Sequence, residues 1–174
     1  MVYYDKNLML RDMQQNDIDL LVAAECAQGW GTTPERFVNR LKDRDAGKCI
    51  TIVALLDKMP IGYVSVYKDV DWGPIDFRGC PEIVDFAVLE KYRGKGIGTL
   101  LMDTAEDIAK GFGRKVFLAV GLHSGYGAAQ VMYYKRGYSP DGTGAWYGDR
   151  LAKRYNHYCL DDYLVLYLWK ALSD

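Results

Sequence analysis

The feature that most constrains the fold of this chain is a glycine-rich turn between a predicted strand and a predicted helix. An apolar, β-branched run over residues 83–89 predicts a buried strand, and apolar residues at helical spacing over 97–112 predict an amphipathic helix. Between them stands Arg93-Gly-Lys-Gly96. Glycines at a helix N-terminus leave backbone N–H groups open to an anion, and the cations add attraction. The turn therefore predicts an anion site, above all for phosphate.

Two common phosphate-binding loops do not match this turn. A P-loop requires Gly-Lys followed by Ser or Thr, whereas Gly96 follows Gly94-Lys95. The dinucleotide fingerprint would need its third glycine where Thr99 stands, and a Rossmann domain would carry the motif after its first strand rather than far along the chain. Neither fold is therefore favoured.

Composition excludes several functional classes. The 174 residues suffice for a sizeable core, and we expect a single domain over residues 1–174. Net charge is -1, which gives no basic surface for nucleic acid. Neither a membrane-length apolar run nor a secretory signal is present, so we expect a cytoplasmic protein without membrane contact. The four scattered cysteines lack metal-site spacing, so no metal is expected.

Periodicity along the chain predicts a mixed α/β order. A strand over 8–13 precedes a helix with an apolar stripe of Ile18, Leu21, Val22 and Cys26, and a second helix runs from Thr33 to about Asp45. The remaining predicted elements are strands over 49–56 and 61–68 joined as a hairpin, a strand over 115–122, a helix over 128–136 and a strand over 163–172. No regular element is predicted over 138–162.

A second pattern accompanies the glycine turn. The predicted helix over 128–136 carries Ala129-x-x-x-Tyr133-x-x-x-Gly137-Tyr138. Together with Arg93-x-x-Gly96-x-Gly98, it resembles the two signatures of the GNAT superfamily of N-acetyltransferases. The early strand, the helix start at Asp17 and the hairpin also fit, so the resemblance covers nearly the whole chain outside 139–162.

The resemblance implies the GNAT-like acyl-coenzyme A N-acyltransferase fold. This is an α/β fold with a central, mostly antiparallel mixed sheet, a parallel pair splayed at the cofactor site, and helices on both faces. It also implies an enzyme that moves an acetyl group from acetyl-coenzyme A, its co-substrate, to an amine by direct attack in a ternary complex.

The family pattern further implies the cofactor contacts. Backbone N–H groups of the turn would bind the pyrophosphate, helped by the helix dipole and two cations. The edge of a bulged central strand would hydrogen-bond the pantetheine arm. The residues expected at the cofactor are Phe86, Ala87, Val88, Arg93, Gly94, Lys95, Gly96, Ile97, Gly98 and Thr99.

Catalytic roles follow from the same resemblance. Tyr133 matches the general acid that protonates the departing thiolate. Glu82 opens the segment Glu-Ile-Val-Asp-Phe-Ala-Val, which resembles that of histone-type members whose leading glutamate is the base. Asp85 or a water chain is the alternative base, and purely structural roles stay open for these side chains. Tyr126 departs from the family pattern, which often has an Asn that contacts the pantetheine arm and orders water.

The residues that recognise the acceptor amine are expected outside both signatures. We expect them in the segments 30–41, 69–79 and 146–162, whose carboxylates and aromatic rings suit a cationic amine. A small-molecule amine is the leading expectation. The alternatives are a protein or peptide amine and a non-catalytic acyl-coenzyme A sensor, and a homodimer is the usual oligomer.

Overall fold

The structure, a computed structural model, describes residues 7–172. Within that range the strands are β1 (Leu8–Asp12), β2 (Cys49–Leu56), β3 (Met59–Tyr67), β4 (Glu82–Val88), β5 (Lys115–Gly121), β6 (Ser139–Tyr147), β7 (Arg150–Leu151) and β8 (Leu164–Ala171). The α-helices are α1 (Asp17–Ala27), α2 (Pro34–Asp45), α3 (Ile97–Lys110) and α4 (Gly127–Lys135). The described chain forms two compact units, one of residues up to 67 plus 84–108 and one of 68–83 plus the residues from 109 onward. The single domain over 1–174 stays a prediction.

The first unit is built on the antiparallel strands β1, β2 and β3. Asp57 and Lys58 join β2 to β3 with positive φ angles of 50° and 67°, the conformation of a two-residue hairpin turn. Pro60 lacks an N–H, and the β2–β3 register shifts between Ala54 and Leu55, where Pro60 pairs. The buried core of this unit combines side chains from α1, α2 and β3 with Met13, the residue that follows β1. Its members are Met13, Ile18, Leu21, Phe37, Leu41 and Tyr63.

The second unit contains the start of β4 and four further strands. Glu82 of β4 pairs in parallel with Phe117 of β5. Strand β5 pairs antiparallel with β8, β8 with β6, and β6 with β7. Aromatic rings fill this core, including a stacked pair of Phe77 and Phe117 with centroids 5.0 Å apart.

The fold class predicted from the sequence is confirmed: a mixed α/β fold, mostly antiparallel, with one parallel strand pair among the described residues. The prediction of no regular element over 138–162 was wrong, because β6 and β7 lie there. Strand β6 is broken by a register irregularity between Pro140 and Ala145 and contains Gly142 and Gly144 at positive φ, so it lacks an alternating pattern.

A second correction concerns the buried face of α1. The predicted stripe ended on Cys26, but Cys26 is exposed and Glu25 is fully buried. Glu25 continues the helical spacing of Ile18 and Leu21, and its carboxylate accepts hydrogen bonds inside the unit. Across residues 7–172, the helices are all too short or too polar to cross a bilayer.

Candidate active site

The glycine turn is exposed and has the backbone conformation that an anion cradle needs. Gly94 and Gly96 have φ of +73° and +81°, angles that residues with a side chain rarely adopt. Leu100 N–H donates to Gly96 C=O at 3.0 Å, and N–H groups nearer the start of α3 have no carbonyl one turn back. A side chain added at Gly94 or Gly96 would project into open space. The cradle is therefore accessible from solvent and fits a pyrophosphate.

The cations of the turn are held beside the cradle. Arg93 Nε donates to Val88 C=O at 3.1 Å, which ties the turn back to the end of β4. The Arg93 guanidinium carbon lies 5.5 Å from the centroid of the Trp30 ring, and Lys95 Nζ lies 5.5 Å from the Tyr92 ring centroid. Both basic residues are exposed, and Arg93 Nη1 lies 3.9 Å from Glu90 Oε1. An exposed ion pair at this distance is weak, so both cations can still attract an anion.

The strand residues predicted at the cofactor divide by exposure. Phe86 and Ala87 of β4 are half-buried, whereas Val88 is buried. The Phe86 ring occupies the space beside Gly98, where an added Cβ would lie 3.2 Å from Phe86 Cζ. Ala87 packs on the core of the first unit.

The helix residues of the predicted cofactor set differ in the same way. Ile97 is buried, so only its backbone could serve a ligand, and Thr99 is exposed. Together with Gly98, they form the first turn of α3, whose N–H groups face the open helix end. In this part of the predicted set, the backbone N–H groups and the exposed Thr99 side chain are therefore the groups open to a ligand.

Glu82 is buried in the second unit at 3% exposure. Its Oε2 accepts the indole N–H of Trp72 at 2.6 Å. A buried carboxylate requires such donors, and this one fixes the orientation of the carboxyl group. The pKa of Tyr167 is raised to about 12, mainly by burial of its hydroxyl and further by the negative charges of Glu82 and Asp141.

Tyr133 is buried at the C-terminal end of α4, and the chain turns there in a Schellman motif. Tyr138 N–H donates to Tyr133 C=O and Gly137 N–H to Tyr134 C=O, both at 3.0 Å, with Gly137 at φ +88°. The rings of Tyr133 and Tyr138 pack with centroids 5.7 Å apart. Burial, and to a lesser extent Tyr126, raises the pKa of Tyr133, so its hydroxyl keeps its proton at neutral pH. That protonation state suits a proton donor.

A cavity of about 250 Å³ in the second unit brings together two regions predicted for the acceptor. One wall is residues 73–78, between β3 and β4, and the other comes from β6 and β7. Trp72, the donor to Glu82, directly precedes Gly73 on the cavity wall. The lining residues are Gly73, Pro74, Ile75, Asp76, Phe77, Arg78, Asp141, Thr143, Trp146 and Leu151. Within residues 7–172, no group of three or more His, Cys, Asp or Glu is placed to hold a metal ion.

The model of the acetyltransferase (GNAT) family matches residues 17–138, more than half of the chain. This chain belongs to the GNAT family. It is therefore an acetyltransferase, as both signatures implied.

Individual GNAT relatives agree with the family match. The chain is 27% identical over 162 residues to an N-alpha-acetyltransferase of Saccharolobus solfataricus, covering 81% of this chain and 91% of the relative. The solved structure of ribosomal-protein-alanine N-acetyltransferase from Brucella melitensis aligns with a TM-score of 0.67 at 18% identity, covering 94% of this chain and 99% of that one. PaiA N-acetyltransferase from Thermoplasma acidophilum, solved in complex with coenzyme A, aligns with a TM-score of 0.65 at 16% identity over 94% and 98% of the two chains. Coenzyme A is thus the bound ligand in that solved structure.

Tyr126, the departure from the GNAT pattern, belongs to a polar cluster. Its hydroxyl donates to Asp162 Oδ1 at 3.0 Å, and His123 Nε2 lies 2.9 Å from the same oxygen. The Tyr126 ring also fills the space beside Gly121, where an added Cβ would lie 2.4 Å from ring carbons. The sequence contained no signal for the partnership with Asp162, because the two residues are 36 positions apart.

Asp85, the alternative base, is engaged in an ion pair. Its carboxylate accepts a hydrogen bond from Arg40 Nε of α2, and both side chains are largely buried. The sequence pointed to neither Arg40 nor the buried network of the same unit, in which Tyr63 O–H donates to Glu25 at 2.5 Å and Arg36 donates to Glu25 at 2.9 Å. The helical spacing of Glu25 with Leu21 was the available signal for its burial.

Proposed function

We propose that this GNAT protein transfers the acetyl group of acetyl-coenzyme A to the primary amine of a small molecule, by direct attack in a ternary complex. The observation that carries the proposal is the exposed cradle at the start of α3, with two glycines at positive φ and two basic side chains beside them. It has the chemistry of a pyrophosphate site in a family of acetyltransferases.

The backbone N–H groups of residues 94–99 would hold the pyrophosphate, and Arg93 and Lys95 would add charge. The half-buried stretch of β4 at Phe86 and Ala87 would contact the pantetheine arm. When bound, acetyl-coenzyme A supplies the thioester carbon that an amine attacks.

Proton transfers fall to two buried side chains. An amine arrives protonated at neutral pH, and Glu82, oriented by Trp72, would accept its proton before attack. Tyr133, whose pKa is raised by burial, would donate its hydroxyl proton to the departing thiolate sulfur.

The small-molecule acceptor is supported by the cavity between residues 73–78 and the β6–β7 hairpin. Its volume of about 250 Å³ suits a small amine. Asp76 and Asp141 outnumber the one basic lining residue, Arg78, and Trp146 adds an aromatic ring for a cation.

A peptide α-amine is the second candidate acceptor. The relative from S. solfataricus, which matches over most of both chains, is an N-alpha-acetyltransferase. The same cradle, base and acid would serve that reaction, because only the group carrying the amine differs.

A coenzyme A release assay separates these acceptors. The purified chain is mixed with acetyl-coenzyme A and either polyamines, amino sugars and free amino acids, or short peptides that differ in their first residue. We expect turnover on the small amines and little on the peptides. Turnover confined to peptides would transfer the proposal to the second candidate, and binding of acetyl-coenzyme A without turnover on either panel would refute both.

A further inference from the structure

The backbone of β4 changes conformation at Asp85, in the strand that the proposed function uses for the cofactor arm. Asp85 has a φ of +51°, in the left-handed region, although strand residues lie on both sides of it. L-residues disfavour this region, so the backbone of β4 departs from the extended conformation at Asp85. The next three residues along the chain are Phe86, Ala87 and Val88, so the conformation of Asp85 sets the direction of that stretch.

The side chain of Asp85 is held by Arg40 from α2. Arg40 Nε donates to Asp85, and Arg40 also donates to the Tyr67 hydroxyl at 2.6 Å. The Arg40 guanidinium carbon lies 5.1 Å from the Tyr67 ring centroid, and the Tyr67 hydroxyl donates to Asp43. The arginine is thus oriented from a second side, and side-chain exposures of 23% for Arg40 and 17% for Asp85 place the ion pair away from most of the solvent.

Close packing surrounds the residues that follow Asp85. A Cβ added at Gly62 of β3 would lie 2.8 Å from Ala87 C=O, so this carbonyl is pressed against β3. The Phe86 ring is pressed against Gly98 of α3 in the same way. Those contacts involve Phe86 and Ala87, whereas the bond to Arg40 acts on Asp85 itself and draws its side chain toward α2.

We propose that Arg40 is a positioning residue for the acyl-coenzyme A site: by pairing with Asp85 it holds the left-handed backbone conformation of Asp85 and so aims residues 86–88 at the cofactor arm. This inference rests on the proposed function. It assigns Asp85 a structural role rather than that of the base. Arg40 acts through the backbone of Asp85 and needs no contact with the cofactor.

The test asks whether a glycine at position 85, which needs no partner to adopt positive φ, makes Arg40 unnecessary. Glycine adopts positive φ without help, whereas alanine does not. We expect Arg40→Ala to weaken coenzyme A binding about tenfold, as measured by calorimetry. The reason is that the conformation of β4 that binds the cofactor would be less populated. Adding Asp85→Gly should restore affinity to within about threefold of the wild type, and adding Asp85→Ala should not. Both additions remove the unpaired carboxylate, so a difference between them reports backbone conformation.

Two controls make the result decisive. Arg44→Ala removes another α2 arginine, one that bonds Met13 C=O and Asp45 instead of β4, and should leave coenzyme A affinity unchanged. In the active enzyme, Arg40→Ala should raise KM for acetyl-coenzyme A more than KM for the amine.

If Arg40→Ala does not fold, Asp85→Gly and Asp85→Ala are compared with Arg40 intact, and glycine should retain the tighter binding. Equal rescue by alanine, no rescue by glycine in a folded protein, or no effect of Arg40→Ala would overturn the inference. Failure of the wild type to bind coenzyme A would instead refute the proposed function.

Discussion

In the turn that follows β4, Gly94, Lys95 and Gly96 are exposed, whereas Tyr133 and Tyr138 at the end of α4 are buried. Both regions carry a GNAT signature, but the first presents backbone to solvent and the second encloses side chains. Phosphate binding needs only N–H groups and a fitting backbone, while proton transfer needs a side chain whose protonation is controlled by its surroundings. Changes in the turn should therefore affect cofactor affinity, and changes at the buried groups should affect the rate of chemistry.

The largest effect is expected at Tyr133. Tyr133→Phe removes the hydroxyl and leaves the ring packed on Tyr138, so kcat should fall at least about 100-fold with little change in coenzyme A affinity. Tyr138→Phe is the matched control and should retain most of the activity. A loss of less than about tenfold for Tyr133→Phe would show that this tyrosine is not the main acid. Since burial raises the pKa of Tyr133, its hydroxyl should stay protonated below about pH 10. The wild-type kcat should therefore not fall through ionisation of Tyr133 in that range.

Glu82 should give the next largest effect. Glu82→Gln keeps the shape of the side chain and an oxygen for Trp72 but removes the base, so kcat/KM at neutral pH should fall about 100-fold. Asp85→Asn keeps a residue that tolerates positive φ and should cost far less. The reverse order in steady-state kinetics would make Asp85 the base and contradict its structural role.

In the turn, Gly96→Ala should weaken coenzyme A binding about tenfold, because alanine disfavours the φ of +81° that residue 96 adopts. Gly47 is the matched control, because it is an exposed glycine at φ +73° with open space around it, at the end of α2. Both substitutions should lower the free energy of unfolding by about 1–2 kcal/mol, measured in urea, and only Gly96→Ala should change calorimetric affinity. Equal affinity in the two variants would remove the turn from the cofactor site.

The smallest functional effect is expected at Gly137. Gly137→Ala strains the Schellman motif and should lower the free energy of unfolding by about 1–2 kcal/mol, while coenzyme A affinity stays the same. A large loss of affinity would show that the signature at α4 serves the cofactor as well as the helix end. Urea unfolding and calorimetry on the same preparation provide both measurements.

The Schellman motif also explains part of the second signature in physical terms. Gly137 takes the left-handed position, Tyr138 bonds back to Tyr133 C=O, and the two rings pack together. These relations are local in the chain, so the helix end at Gly137 could be predicted from the sequence. The turn at Gly94 to Gly98 was predictable for the same reason.

The sequence by itself determined the family, the mixed α/β class, the position of the glycine turn and the order of most elements, because each depends on residues close together in the chain. Tertiary structure decided which long-range partners each polar group has. Trp72 orients Glu82, Arg40 holds Asp85, and Asp162 binds Tyr126. It also revealed β6, whose glycines and irregular register leave no alternating pattern from which a strand could be predicted. Local spacing encodes backbone conformation, whereas burial and pairing depend on residues that only the folded chain brings together.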